Sequence, residues 1–392
     1  MNILIMLIAD PLKDPRPNRL INILDKKNIT VDILNNNFSK INHPNIRRNY
    51  SLDNKKIFNY LYPLKVLLTL LSALKSSIIK NPALPPTYYE NYYYISKKIK
   101  NKLFNNNYDY IIVEDIVLLS QAIGLFKESK IIFDAREFYE EQGTESIKFN
   151  LLIKPIRIAI LYSCLKKCNY IFSVSDAIAN AYKEKYKVKV DLLRSVPFYS
   201  NKKVKKTFKK NIKIVHHGIG YKTRGIKDMI DIVKASDEKY SLDLYLVSDK
   251  NYLKEIKNYI GECNRIKLKN PVQYRNIIDM LANYDMGLFF VKPATFNLLN
   301  CLPNKLFEFI QARLAVIVSP SPEMRKIIDH YKCGFASKSF EKDSVIDLLN
   351  NLKIEDIDSA KQNSNIAAKE LCYEKESRNL LSKIINQPTN NF

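Results

Sequence analysis

Residues 302–318 read LPNKLFEFIQARLAVIV, and this stretch decides how the second half of the chain folds. Proline is favoured in the first turn of a helix because its missing N–H would have no helical partner there. A helix is therefore predicted over Pro303–Ala312, and the uninterrupted apolar run Ala315–Val318 is typical of a buried parallel strand. With the apolar run Met286–Phe290 before it, the stretch predicts one strand–helix–strand unit of a parallel sheet.

The same alternation extends in both directions from this unit. Strands are predicted at Asn2–Ile8, Thr30–Leu34, Tyr110–Val113, Ile131–Asp134, Tyr170–Val174, Ile212–His216, Leu242–Val247 and Arg265–Lys267. Helices are predicted at Pro17–Lys27, Ile226–Ala235, Asn251–Ile260, Tyr274–Asn283 and Glu323–His330. Strands that alternate with helices indicate an α/β fold built from doubly wound parallel sheets. The ligands of such sheets bind at the carboxyl ends of the strands.

The pattern is interrupted once, between Val196 and Asn211. This stretch begins with proline, is rich in lysine and has no periodicity, as expected of a linker. We predict an N-terminal Rossmann-like domain over residues 1–195 and a basic linker over 196–210. A second Rossmann-like domain is predicted over 211–370, and a C-terminal segment with a helix at Cys372–Ile385 over 371–392.

The composition predicts a folded protein with an anionic partner. A hydrophobic content of 46% excludes wholesale disorder, and 63 Lys+Arg against 40 Asp+Glu give a formal net charge of +23. Residues Leu61–Lys80 are mostly apolar with lysines at intervals, and a tyrosine-rich run follows them. This segment is interpreted as an ordinary packed helix, as a helix lying on an anionic membrane, or as a groove for nucleic acid. Nucleic acid is not expected as a partner, because no recognised binding motif accompanies the segment.

The cysteines and the first residues bear on the cellular compartment. The six cysteines include no Cys-x-x-Cys, and the four histidines have no zinc-like spacing, so reduced thiols are expected. Met1–Ala9 lacks the basic start and the cleavage site of a signal peptide. A cytoplasmic location is expected, with peripheral attachment to the inner face of the cytoplasmic membrane if Leu61–Lys80 is a membrane helix.

The helix that begins near Pro303 carries groups suited to a nucleotide. Its first amides and the helix dipole favour a phosphate, and Lys305 adds positive charge in the first turn. Glu308 lies about one turn further on, where a carboxylate can accept the hydroxyl protons of a ribose. The alternative is an amphipathic helix with a solvated lysine and glutamate, and periodicity alone favours that alternative.

Pro303–Phe309, followed by Ala315–Ile317, resembles the donor-site signature of the GT-B glycosyltransferases, and is most similar to their retaining family 4, also called group 1. Further resemblances occur in order along the chain, at residues 133–137, 173–176, 217–226, 284–288, 319–323 and 333–335. The resemblance is weakest in residues 35–105. It implies two Rossmann-like domains facing a cleft, with the acceptor bound by the first domain and the last helix crossing back to it.

The resemblance also implies site residues in the second domain. Gly218, Arg224, Asn304, Lys305 and Glu308 are the expected donor-binding residues. In the family the basic residue at the position of Arg224 grips the donor diphosphate, and the glutamate at the position of Glu308 binds the ribose. Nucleotide sugar, expected to be a UDP-sugar, would be a co-substrate, and no other cofactor is expected.

Three positions depart from the family pattern. The family's first glutamate, separated from Glu308 by seven residues, is Asn300 here. The histidine that commonly follows the Asp-Ala pair is Arg136, and an arginine there could hold an acidic substrate or the leaving phosphate. Asn300, Arg136 and the adjacent Glu137, a candidate general base, are the expected catalytic residues.

The third departure is the loop after the first strand. The glycine-rich acceptor loop is absent, and Asp14-Pro15-Arg16-Pro17 stands in its place. Asp14 and Arg16, together with Asp134 at a neighbouring strand end, are the expected acceptor-binding residues.

The predicted function is a metal-independent, retaining hexosyl-type glycosyltransferase of bacterial surface polysaccharide biosynthesis (capsule, lipopolysaccharide or a related glycan) with a glycan or lipid-linked acceptor. The one tight acidic pair, Asp356 and Asp358, is assigned to a late polar connection, so no metal site is expected. A non-catalytic GT-B-like binding subunit and a nucleotide-sugar epimerase are the alternatives, and a nucleic-acid binder would show steeply salt-dependent affinity.

Overall fold

The structure, a computed structural model, describes residues 1–36, 41, 43–52, 71, 95–208 and 210–385. The predicted membrane segment Leu61–Lys80 lies outside the described residues except for Leu71, and so do residues 386–392. The chain divides into two compact units. The first contains the described part of Met1–Arg194 with Thr295–Asn297 and residues 379–385, and the second contains the described part of Ser195–Ala294 with Leu298–Arg378.

The first unit is built on one parallel sheet. Its strands are β1 (Ile3–Met6), β2 (Val31–Asn35), β3 (Ile46–Ser51), β4 (Tyr110–Val113), β5 (Lys130–Ala135), β6 (Tyr170–Ser173) and β7 (Asp191–Leu192). They lie in the order β3-β2-β1-β4-β5-β6-β7. The intervening helices are α1 (Pro15–Asp25), α2 (Lys97–Phe104), α3 (Ile116–Leu125), α4 (Lys154–Cys164) and α5 (Asp176–Tyr186).

The central strands of this sheet form because their residues are apolar and fully covered. Every residue of β1 and β4 is buried, and the two strands pair in parallel with Ile3 opposite Tyr110. β5 lies on the other side of β4, with Tyr110 opposite Lys130. Parallel pairing places the carboxyl ends of β1, β4 and β5 side by side at one edge of the sheet.

The second unit has a parallel sheet of its own. Its strands are β8 (Ile212–Ile219), β9 (Tyr240–Val247), β10 (Ile266–Lys269), β11 (Met286–Phe289), β12 (Ala315–Val318) and β13 (Gly334–Ala336), in the order β10-β9-β8-β11-β12-β13. Helices α6 (Ile226–Ala235), α7 (Lys250–Ile260), α8 (Ile277–Leu281), α9 (Phe296–Leu299) and α10 (Asn304–Gln311) come first in the second half of the chain. They are followed by α11 (Pro322–Tyr331), α12 (Lys342–Asn351), α13 (Ile354–Glu370), α14 (Tyr373–Glu376) and α15 (Arg378–Ile385).

Several helices differ from the prediction. The helix predicted over Cys372–Ile385 is two helices, because it breaks at Ser377, whose hydroxyl donates to the carbonyl of Tyr373 at 2.6 Å. The helix predicted over Tyr274–Asn283 begins as a 3-10 turn and ends at Leu281. The acidic pair at Asp356 and Asp358 lies in the first turns of α13, so its assignment to a polar connection was wrong.

The basic linker is held against the second unit by a buried polar cluster, the linker clasp, formed by Thr207, Asp285, Asp358 and Lys361. The Thr207 hydroxyl donates to Asp358 at 2.7 Å, and the ammonium of Lys361 donates to Thr207 and to Asp285 at 3.1 and 2.8 Å. Lys361 is 1% exposed, so these partners take the place of the water that would surround an exposed ammonium group.

The C-terminal helix α15 packs within the first unit. The hydroxyl of Tyr110 donates to the carbonyl of Lys383 at 2.9 Å, and the Lys383 ammonium lies 3.7 Å from the carboxylate of Asp191. None of the described helices is long and apolar enough to span a membrane.

A glycine in β11 makes the packing of α10 possible. A Cβ on Gly287 would lie 2.2 Å from Cγ of Phe309, which is fully buried. We expect Gly287→Ala to lower the free energy of unfolding by about 1–3 kcal/mol, because the phenyl ring has no space to move into. Urea unfolding measures this change.

The matched control is Gly124→Ala in α3. A Cβ on Gly124 would meet nothing within 4 Å, and the residue is exposed. This control should stabilise the protein by about 0.5–1 kcal/mol because alanine loses less backbone entropy in a helix. Equal effects of the two substitutions would contradict the packing argument.

Candidate functional site

The residues at the carboxyl edge of the second sheet surround Glu308 of α10. Glu308 is 3% exposed, and its carboxylate oxygen Oε2 lies 3.2 Å from Nε2 of His217, near the end of β8. The ring of His217 is held edge-on against Phe309, with centroids 5.5 Å apart. The structure thus fixes a buried carboxylate that the sequence motif predicts, and it adds a histidine that the motif does not.

Lys305, one turn before Glu308, contacts the backbone of β8. A Cβ on Gly218 would lie 2.6 Å from Cε and 2.8 Å from Nζ of Lys305, so a larger residue there would displace the end of this side chain. Gly218 also has a φ of +115°, a conformation that other residues rarely adopt. The ammonium lies 5.4 Å from the ring centroid of Phe289, at a cation–π distance.

The position of Lys305 changes its protonation. Burial and the positive charge of Arg224 lower the pKa of Lys305 to about 8, against the opposing effect of Glu308. Two basic side chains therefore repel each other at this edge. A bound anion would relieve that repulsion and would favour the charged form of Lys305.

Arg224 reaches the same edge from the loop after β8. It ends a 3-10 turn over Lys222–Arg224, and the next residue, Gly225, has a φ of +66°. A Cβ on Gly225 would lie 2.4 Å from the carbonyl oxygen of Phe290, so this tight turn requires glycine. The loop is held close to β11 by this requirement.

Uncharged polar groups complete the edge. Burial and the positive charge of Lys305 lower the pKa of His216 well below its ordinary value, so its ring is neutral. Nδ1 of this ring lies 2.8 Å from the carbonyl oxygen of Leu288 and donates its proton to it. This leaves Nε2 as an acceptor. The hydroxyls of Ser319 and Ser321, just after β12, are buried without a hydrogen-bond partner among the described residues. Neither serine hydroxyl is in the predicted site, although both follow a predicted strand.

The structure brings four of the predicted donor residues together: Gly218, Arg224, Lys305 and Glu308. Asn304 is the first residue of α10 and is partly exposed, and Asn300 directly follows α9 and is 7% exposed. Both asparagines thus lie on the connection that leads from β11 into α10.

The predicted acceptor residues meet at the carboxyl edge of the first sheet. Arg16 and Asp134 form a bidentate ion pair, with both N–O distances at 2.5 Å and both side chains 6% exposed. Asp14 accepts the amide of Arg16 at 3.1 Å as the cap of α1. Its other oxygen accepts from Arg136 at 2.7 Å.

Arg136 therefore lies within a network of ion pairs between arginines and carboxylates. We call this network the charged edge, and it consists of Asp14, Arg16, Glu114, Asp134 and Arg136. The second guanidinium nitrogen of Arg136 donates to Glu114, which follows β4 and is fully buried. Burial raises the pKa of Glu114 above its ordinary range, although Arg136 opposes this shift. Glu114 was not predicted as a site residue, although its place after an apolar strand was a usable signal.

The last predicted residue of this edge is Glu137. Its carbonyl oxygen accepts from the hydroxyl of Tyr182 at 2.8 Å, and the residue is partly buried. Among the described residues, no group of three or more His, Cys, Asp or Glu is placed to hold a metal ion.

This chain has the two-domain GT-B fold, and the predicted α/β class with two Rossmann-like domains is confirmed. HepE from Anabaena, solved with UDP, is 13% identical with a TM-score of 0.68, covering 99% of this chain and 100% of HepE. Sucrose-phosphate synthase from Thermosynechococcus elongatus is 11% identical with a TM-score of 0.70, covering 98% of both chains. WaaG, a glycosyltransferase involved in lipopolysaccharide biosynthesis, is 10% identical with a TM-score of 0.61, covering 96% of this chain and 98% of WaaG. No family model and no curated protein matches the sequence.

The ion pair of the charged edge gives a stability prediction. Asp134→Asn should lower the free energy of unfolding by about 3 kcal/mol or more, because it leaves the buried guanidinium of Arg16 without its counter-charge. The control is Asp329→Asn, which removes an exposed pair with Arg325 at 3.3 Å and should cost less than about 1 kcal/mol. Urea unfolding of both variants tests the difference, and equal losses would contradict it.

The lowered pKa of Lys305 gives a pH prediction. Between pH 8 and the ordinary lysine pKa near 10.4, the unfolded chain binds a proton that the folded protein does not, so stability rises with pH. Lys305→Met should remove this rise and should stabilise the protein at pH 7 by about 1–2 kcal/mol. Unfolding midpoints from pH 7 to 10 measure it, with Lys254→Met, at an exposed position, as the control. Parallel curves for wild type and Lys305→Met would refute the assignment.

Proposed function

We propose that this chain is a glycosyltransferase that moves a sugar from a nucleotide-sugar donor to a glycan or lipid-linked acceptor. The observation that carries the proposal is the packing of Lys305 against Gly218, with Arg224 and the buried Glu308 beside it. Two basic groups and a carboxylate at the carboxyl edge of a Rossmann-like sheet match the two ends of a nucleoside diphosphate. A uridine nucleotide is proposed because HepE was solved with UDP and with UDP-glucose.

The proposed donor contacts follow from charge. Lys305 and Arg224 stabilise the negative charge that develops on the β-phosphate when the bond to the sugar breaks, which is the work a metal ion does in other transferases. Glu308 accepts hydrogen bonds from the ribose hydroxyls, and Nε2 of His217 lies 3.2 Å from its carboxylate. Asn304, at the start of α10, contributes an amide group on the donor side.

The proposed transfer retains the configuration of the sugar and needs no metal. The acceptor oxygen forms a bond to the anomeric carbon on the face from which the diphosphate departs, and a phosphate oxygen takes the proton. Asn300 offers the sugar ring an amide where a carboxylate is usual. Asp14, Arg16 and Asp134 bind the acceptor, and Arg136 and Glu137 act beside it, with Glu137 as an alternative base.

The proposed role is the synthesis of a bacterial surface polysaccharide at the cytoplasmic face of the membrane. The likeness to WaaG, whose described role is in lipopolysaccharide biosynthesis, supports it. The second candidate is a binding subunit without catalytic activity, and the amide of Asn300 at the position of the family's first glutamate favours it. The two candidates share the donor site and differ in turnover.

The test begins with donor binding. Glu308→Ala should weaken UDP binding about 10–100-fold, because two charge-assisted hydrogen bonds to the ribose are lost. Glu262→Ala removes an exposed carboxylate of the same unit and should leave binding unchanged. Titration calorimetry with UDP measures both, and thermal unfolding of each variant establishes that it is folded. Unchanged affinity in folded Glu308→Ala would overturn the donor assignment.

Turnover separates the two candidates. Wild-type protein incubated with a panel of UDP-sugars should release UDP, and release should increase when a suitable acceptor is added. A protein that binds UDP and releases none from any donor, but gains release on Asn300→Glu, would identify the binding subunit instead.

A further inference from the structure

We propose that the helical segment 147–167 of the first unit binds the surface of an anionic membrane through an outward apolar stripe. The apolar stripe consists of Ile147, Leu151, Pro155, Ile158 and Tyr162. It lies outside both candidate sites described above. The inference is independent of the proposed transferase activity, because lipid binding is measured without any donor or acceptor.

The segment is one continuous helix of mixed type. A helical turn begins at Ile147, passes into π-helix over Phe149–Ile153, continues as α4 over Lys154–Cys164 and ends in a 3-10 turn over Leu165–Lys167. The amide of Phe149 donates to the hydroxyl of Ser146 at 3.4 Å, which closes the amino end. The helix is therefore long enough to present a lengthwise stripe.

The helix has two apolar faces, and one of them remains exposed. Its inner face packs into the core of the first unit through Ile156, Ile160, Leu161 and Cys164, which are all buried. At about 100° per residue, positions 151, 155, 158 and 162 lie within about 60° of one another on the opposite face.

The exposure of the stripe is large for apolar side chains. Ile147 is 78% exposed, Leu151 is 66% exposed and Tyr162 is 45% exposed, while Pro155 and Ile158 are partly exposed. Exposed apolar residues that stand singly need no explanation, but a lengthwise row on one helix face marks an interaction surface.

The charge of the segment selects the partner. No aspartate or glutamate occurs between Ile147 and Lys167, whereas the segment carries five basic residues: Lys148, Lys154, Arg157, Lys166 and Lys167. The lysines at the two ends are exposed, and Lys154 is paired with Glu141 at 2.6 Å. A row of apolar side chains between exposed lysines is complementary to a bilayer with anionic headgroups, into which the apolar groups insert while the ammonium groups contact phosphate.

The test is flotation of the full chain with lipid vesicles. Wild-type protein should float with vesicles of phosphatidylcholine and phosphatidylglycerol but not with phosphatidylcholine alone, and salt should weaken the binding. The double variant Ile147→Asp, Leu151→Asp should reduce binding at least about 10-fold, because two apolar insertions are replaced by charges that anionic lipid repels. Both positions are exposed, so the variant should fold, and thermal unfolding checks that it does.

Two matched controls separate the stripe from the overall positive charge. Ile366→Asp changes another exposed isoleucine, which is 62% exposed on α13, and should leave binding unchanged. Lys148→Gln, Lys166→Gln, Lys167→Gln should weaken binding more than Lys250→Gln, Lys254→Gln, Lys257→Gln, which removes the same charge from α7.

Four outcomes would overturn the proposal. The first is that the wild-type protein does not bind anionic vesicles at low salt, and the second is that the double variant binds them as well as the wild type does. The third is that the two triple variants lose equal amounts of binding. The fourth is that the wild type binds no vesicles and is a dimer, which the double variant converts to a monomer. The last outcome, read by light scattering, would assign the stripe to a second copy of the chain.

Discussion

The contact between Lys305 and the backbone of Gly218 is the constraint on which the rest of the candidate donor site depends. Near the end of β8, the tip of the lysine side chain lies where a Cβ at position 218 would be, and the positive φ of Gly218 independently favours glycine there. Once Lys305 is fixed, the helix that carries it places Glu308 beside His217. A cation, a carboxylate and a histidine thus lie together at this edge of the sheet.

The two units use the same edge of a parallel sheet in opposite electrostatic ways. In the second unit Arg224 lies close enough to Lys305 for its positive charge to lower the pKa of the lysine. In the first unit both arginines of the charged edge pair with carboxylates, Arg16 with Asp134 and Arg136 with Glu114 and Asp14. The edge in the second unit is therefore suited to an anion. The edge in the first unit is suited to neutral groups that hydrogen-bond to fixed carboxylates.

Elements whose burial leaves a regular apolar pattern in the sequence were predictable, and those defined by distant contacts were not. Strands β4 and β12 have the predicted bounds because full burial gives uninterrupted apolar runs. Helix α6 has the predicted bounds because burial of one face gives a clear helical period. Strand β3 was not predicted, because its middle residues are exposed and polar, as befits an edge. The motif predicted Lys305 and Glu308, but the pairing of Arg136 with Glu114 joins two strands that only the sheet order brings together.

The linker clasp bears on where the second compact unit begins. Lys361 is buried and shares its charge with Asp285, but it also donates to Thr207, which belongs to the linker and not to the sheet. If the second unit began at Ile212, where its first strand starts, the buried ammonium group of Lys361 would lose Thr207 as a hydrogen-bond partner. The second compact unit starts at Ser195, so a stretch that looks like a spacer in the sequence belongs to this unit.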